Sequence, residues 1–195
     1  MVECIKKMCE ECAMSRVRIA FRRGSWHRVS DAAIMVYELL ARETHSEVWF
    51  DDVAFGACCN VLPSIRAWCV PGDTEYQPED WSVMELPVTD ELRALVILED
   101  MLASPAPYRI SVGECAMPKC MVDAIERDAD CMHPEAWKGV FCSQFVLLFV
   151  RRCSREGILQ AVPHERHALL WSVSSKGCLP SRLRVILEKM LAIDT

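Results

Sequence analysis

Phe141-Cys142-Ser143-Gln144-Phe145-Val146-Leu147-Leu148-Phe149-Val150-Arg151-Arg152 is apolar nearly all round, with its charges held back to the last two positions. A helix that is hydrophobic on every side must be covered on every side, so this stretch predicts a buried central helix. The terminal Arg151-Arg152 pair suits the negative end of the helix dipole. The rest of the chain must supply the covering layers.

Working back from this helix, the pattern changes to a period of two. Val17 to Phe21 alternates large apolar residues with Arg and Ala and reads as a strand, ended by Gly24-Ser25. Ser30 or Asp31 caps a helix carrying Val29, Ala32, Ala33, Val36, Leu39 and Leu40. Ser46 to Ala57 reads as a hairpin around Asp51-Asp52, with His45, Glu47 and Trp49 facing one way and Val48 and Phe50 the other. Ile65 to Val70 and Ser82 to Leu86 are further strands, separated by Pro71-Gly72-Asp73. Thr89 precedes a helix with Leu92, Leu95, Val96 and Leu102 inward, ended by Pro105 and Pro107. Ile110 to Met132 gives no clear period. Pro180 opens a last amphipathic helix, with Leu183, Ile186, Leu187 and Met190 inward. Antiparallel hairpins with helices gathered elsewhere define an α+β class.

The chain has 195 residues, 52% of them hydrophobic, which suits one domain with an ample core. Residues 1–16 read as a Cys-rich N-terminal extension and 17–195 as the domain. The net charge of -6 has no basic patch within it, which points away from nucleic acid. No apolar run approaches the roughly 18 residues that span a bilayer. The N-terminus lacks the apolar stretch of a signal peptide, so an intracellular, cytoplasmic location is expected. There, the 12 cysteines are expected to be reduced. Cys9 and Cys12 form a CxxC, and Cys115 with Cys120 and Cys131 with His133 lie close in sequence. None has a second pair at zinc-finger spacing, so neither a metal nor another cofactor is expected. His164 and His167 have helical metal-ligand spacing without a third ligand, and a solvated polar turn is the plainer reading. Trp49, Trp68 and Trp81 read as core strand residues rather than a groove.

One position carries chemistry. Cys142 stands where a loop ends and the buried helix begins. A helix N-terminus lowers a thiol pKa through its free amides and dipole, and an imidazolium lowers it further. The Cys142 backbone N–H is free to help form an oxyanion hole. A base must come from elsewhere in the fold, and His45 begins a strand, a rigid platform for an imidazole. The residues alone leave a second reading open, with Cys142 as an inert core thiol and His45 as a strand-edge histidine.

Thr44-His45-Ser46-Glu47-Val48-Trp49-Phe50 resembles the "SHVEL-aromatic-F" strand of the circularly permuted NlpC/P60 proteins, a papain-like superfamily. Asp51 to Ala57 resembles the turn and second strand of that hairpin, and Ala32 to Leu40 the helix before it. Pro107-Tyr108 is similar to the "PYD" element, and Trp137 to Val150 to the "W…CSE-x-V" nucleophile helix. The resemblance covers roughly Arg18 to Leu159, and the order His then Cys is the permuted one.

The resemblance implies a permuted papain-like domain over residues 17–195, with an antiparallel sheet packed on a central nucleophile helix. It implies a thiol hydrolase, a peptidase or amidase, with Cys142 as nucleophile and His45 as base through a thioester. Ser143 and Gln144 fall at oxyanion or supporting positions. The family's third polar residue falls near Gly56, which cannot orient an imidazole; Glu47, Asp51 and Asn60 are weak substitutes, so that residue is unassigned. Phe141 to Val146 also echoes the "NCEHFV" motif of lecithin:retinol acyltransferase-like enzymes. An acyl-lipid substrate is therefore an alternative to a peptide or amide, and a catalytically degenerate binding domain is a third. Relatives in large DNA viruses fit a compact, Cys-rich copy, which would place the protein in a host cell or virion.

Overall fold

The computed structural model describes residues 16–24, 42–58, 63–70, 78–108, 133–136, 139–160, 162–175 and 178–192. Five strands form one antiparallel sheet: β1 (Val17–Arg23), β2 (Glu43–Phe50), β3 (Val53–Ala57), β4 (Ile65–Cys69) and β5 (Trp81–Glu85), in the order β4-β3-β2-β1-β5. Among the described residues there are four α-helices: α1 (Glu91–Leu102), α2 (Cys142–Arg155), α3 (His164–Leu170) and α4 (Pro180–Leu191). The architecture is α+β, as the alternating and helical patterns predict. No helix among the described residues is long and apolar enough to cross a membrane. The expected helix near Val29–Leu40, the Cys-rich residues 1–15 and the segment 110–132 lie outside the described residues.

Alternation along the strands sorts the sheet into two faces. Ile19, Phe21, Val48, Phe50, Val53, Phe55 and Ile65 are buried and form the core with α2. The β2–β3 hairpin turns at Asp51-Asp52, where Asp51 takes a positive φ of 49° that an aspartate tolerates. Antiparallel partners share a face, so the other face carries the rows Arg22, His45 and Trp81; then Ala20, Glu47 and Val83; then Arg18, Trp49, Ala54 and Trp68. The three tryptophans are thus not core residues. They are half-buried on the face opposite the core. Composition favours the core for such residues, but strand register decides the side.

The β1–β2 register slips beside His45. Arg22 pairs with His45 but Arg23 with Glu43, so Thr44 is an extra residue in β2. Such a bulge re-aims neighbouring side chains.

Helix α2 is the predicted central element, buried along eleven of its positions from Cys142 to Cys153. Helix α1 differs from expectation on its inward face. Ala94, Leu95, Ile97, Leu98 and Met101 are buried, whereas Leu92 and Val96 are 65% and 42% exposed. The segment carries apolar residues on both candidate stripes, and packing against α2 selects the one containing the small Ala94. Ion pairs Arg93–Glu156 and Arg152–Asp100 fasten that choice. Asp90 caps α1 by accepting from the Arg93 amide at 2.8 Å. Thr89 binds the Ile158 carbonyl. The predicted inward residues of α4 are all buried.

His164-Glu-Arg-His167 is helical rather than a solvated turn. His167 Nε2 donates to the Val162 carbonyl at 3.1 Å, and Ser154 Oγ lies 2.5 Å from its Nδ1. His167 is half-buried, with a partner at each ring nitrogen.

Candidate active site

The site is built at the N-terminus of α2. Val140 donates its amide to the Pro107 carbonyl at 3.0 Å and bridges Tyr108, so the chain enters the helix along a fixed line. Phe141 is the extended N-cap residue and makes no side-chain cap. The first intrahelical bond there is Phe145 N–H to the Phe141 carbonyl, at 2.9 Å. The amides of Cys142, Ser143 and Gln144 therefore have no acceptor in the helix ladder. An apolar residue at the cap of a buried helix leaves strong donors for something else to use.

The Cys142 sulfur uses one of them. Burial alone would push this thiol up, but its pKa is lowered, because the His45 charge and a hydrogen bond to that ring overcome burial. The backbone amides of Ser46 and Ser143 add to the stabilisation of the thiolate. The partner shift is reciprocal. Burial works against the His45 imidazolium, yet its pKa lies well above the usual imidazole range, first because of the Cys142 charge and hydrogen bond and then because of Glu47. Both shifts favour a thiolate beside an imidazolium. Cys142 is 2% exposed, and the His45 side chain 13%.

His45 is gripped from three sides. The Cys142 sulfur lies on one. Glu47 Oε1 is 2.8 Å from Nε2 on another. The Trp81 ring meets the imidazole edge-to-face, with centroids 6.2 Å apart and planes at 77°. With Nε2 bound to Glu47, Nδ1 is the nitrogen left for the sulfur. Glu47 Oε2 accepts from Trp49 Nε1 at 3.0 Å.

Sequence reasoning brought Cys142 and His45 together, and the fold does the same. The sequence makes Glu47 a weak substitute, on the same side as His45 but two residues along the strand. The carboxylate reaches because its side chain is long and lies over Gly56. A Cβ on Gly56 would sit 3.3 Å from Glu47 Cγ and 3.3 Å from Trp68 Cη2. The signal available in sequence was the shared face of His45, Glu47 and Trp49 next to a glycine. The contributions of the Ser46 amide and Trp81 carried no sequence signal, because each depends on register.

The other named positions lie elsewhere. Asp51 accepts from the Arg16 amide at the hairpin turn. Asn60 is outside the described residues. The side chains of Ser143 and Gln144 bind the loop before α4: Ser143 Oγ donates to the Cys178 carbonyl at 2.6 Å, and Gln144 Nε2 to Ser175 Oγ at 3.4 Å. They anchor the helix start to the loop before α4.

Two other thiols provide contrast. Burial pushes Cys58 and Cys153 up. Cys58 lies near enough to feel the charges of His45 and Glu47, but it has no helix N-terminus behind it. Among the described residues, no group of three His, Cys, Asp or Glu side chains is placed to hold a metal ion.

Fold and site together define an α+β protein with a buried cysteine beside a histidine at a helix N-terminus. No protein family matches the chain, and no curated protein or solved structure matches it significantly.

Proposed function

We propose that the chain is a papain-like thiol hydrolase of the permuted NlpC/P60 type, acting on an amide bond. The observation that carries this reading is the position of Cys142 at the uncapped N-terminus of α2, with the His45 ring in hydrogen-bonding contact with its sulfur. A structural core thiol is expected to be neutral and to have a raised pKa, as Cys153 does. Order in the chain agrees, with the histidine strand first and the cysteine helix after it.

The chemistry follows from the atoms present. The Cys142 thiolate attacks the carbonyl carbon, and the carbonyl π pair moves to oxygen. The Cys142 backbone N–H, which no helix acceptor uses, would donate to that oxyanion. As the tetrahedral intermediate collapses, His45 gives its Nδ1 proton to the departing amine. The acyl group remains on sulfur as a thioester. Neutral His45 then takes a proton from water, whose oxygen attacks the thioester carbon. Collapse releases a carboxylic acid and restores the ion pair.

A thiol-reactive acyl probe should label the wild-type protein and fail to label Cys142→Ala. Equal labelling of both would overturn the assignment. The acyl-lipid alternative uses the same thioester. Turnover of phospholipid vesicles, with none of amide and peptide panels, would replace amide cleavage with lipid acyl chemistry. Labelling without turnover of either would favour a binding domain.

A further inference from the structure

The papain-like reading leaves one role unfilled, because the strand next to the histidine strand offers Gly56 where a polar side chain would hold the imidazole. We propose that Glu47 fills that role from the histidine strand itself, and that Gly56 is part of the device because its missing side chain makes room for Glu47. This rests on the reading of Cys142 and His45 as nucleophile and base.

Three geometric observations carry it. Glu47 Oε1 lies 2.8 Å from His45 Nε2, a charge-assisted hydrogen-bond distance. The second oxygen is tied to Trp49 Nε1 at 3.0 Å, so the carboxylate cannot swing away. The Glu47 side chain is 3% exposed, where little water competes for the bond. His45, Glu47 and Trp49 are alternate residues of one strand, so a single element supplies the base, the group that orients it and the group that fixes the orienting group.

Gly56 completes the arrangement. A Cβ there would meet Glu47 Cγ at 3.3 Å, Glu47 Cβ at 3.9 Å and Trp68 Cη2 at 3.3 Å. It would press on the stem of the carboxylate from one side and on an indole from the other. The glycine requires no special φ; what it provides is space. The polar group is absent from β3 because a longer side chain from β2 occupies the space it would need.

Glu47 is thus a positioning residue. It holds the Nε2–H tautomer, leaves Nδ1 toward sulfur, and favours the imidazolium. Glu47→Gln keeps the size and an acceptor but loses the charge. Glu47→Asp keeps the charge but shortens the reach.

The test is the pH profile of Cys142 alkylation by iodoacetamide, read at that residue by mass spectrometry, together with melting temperature. It needs no substrate. In Glu47→Gln the alkaline limb, where His45 loses its proton, should move to lower pH. The rate near neutrality should fall at least about tenfold, within the range of acid–base effects. Gly56→Ala should reproduce that loss in the wild-type background. In Glu47→Ala, where Cγ is gone, Gly56→Ala should add little, a non-additivity that marks a shared mechanism.

A Glu47 that only braced the strand would lower the melting temperature of Glu47→Gln and leave both limbs in place. That result, with a normal wild-type profile, overturns the positioning role alone. If Cys142 in the wild type titrates as an ordinary thiol, the nucleophile–base reading itself falls and takes this one with it.

Discussion

At the residue scale, what separates Cys142 from the chain's other thiols is the set of donors around its sulfur. Cys153 and Cys142 are equally removed from water, yet burial wins at the first and loses at the second. The difference is one imidazolium and two amides. Because the Cys142 pKa is lowered, its thiolate persists as pH falls below the ordinary thiol range of about 8.5. Because the His45 pKa is raised, the opposing charge persists as pH climbs above the imidazole range. Alkylation of Cys142 should therefore rise with pH earlier than that of Cys58 or Cys153. At mildly acidic pH it should be the first of the three to react, as peptide mapping after brief haloacetamide treatment would reveal. His45→Ala removes the charge and the ring bond together. Burial then goes unopposed by either, and neutral-pH reactivity should fall at least about tenfold. Reactivity in that variant equal to wild type would mean that the amides of Ser46 and Ser143 suffice without the imidazole.

At the element scale, α2 is the buried centre of the fold. Phe145, Leu147, Leu148 and Phe149 are fully buried, so the stretch of α2 from Cys142 to Arg151 has no face on which a loss is cheap. Phe149→Ala should cost about 3–5 kcal/mol in chemical denaturation, since a cavity adds to the lost transfer energy. A cost under about 1 kcal/mol would mean that the surrounding layers collapse onto the helix and that it is not the centre of the core. The legibility of the other elements follows similar physics. The β2–β3 hairpin was readable because Asp51-Asp52 interrupts a clean alternation, and α4 because its apolar residues make one stripe. The inward face of α1 was not, since two stripes were available and only contact with α2 distinguishes them. At the site, Cys142 and His45 were readable from residue type and element position. Alternation puts Glu47 on the correct face, but spacing along a strand says nothing about the empty space over Gly56 that lets it reach the imidazole. The Thr44 bulge had no signature in the residues, because it exists only relative to β1.

At the scale of the whole molecule, described residues between α3 and α4 form a strap that binds α2 at both of its ends. Arg151 is 3% exposed, and its guanidinium donates to the carbonyls of Leu170 and Val173. At the other end of the helix, Ser143 and Gln144 bind Cys178 and Ser175. The strap and the sheet therefore hold different things: the strap fixes the helix body, while β2 fixes the chemistry at its tip. Arg151→Met keeps the length and apolar stem of the side chain but leaves two carbonyls without their charged donor. Hydrogen bonds to charged groups contribute about 1.5–3 kcal/mol each, so unfolding should become easier by roughly 2–5 kcal/mol. The limbs of the Cys142 alkylation profile should stay where they are in wild type, because His45, Glu47, Ser46 and the first-turn amides are untouched. Denaturation and alkylation measured on the same preparation test the separation. A midpoint that falls while the limbs hold still supports two independent supports for one helix. Limbs that move with the midpoint would show that the sulfur's position depends on the strap, and that the tip of α2 is set by the whole molecule rather than by the histidine strand.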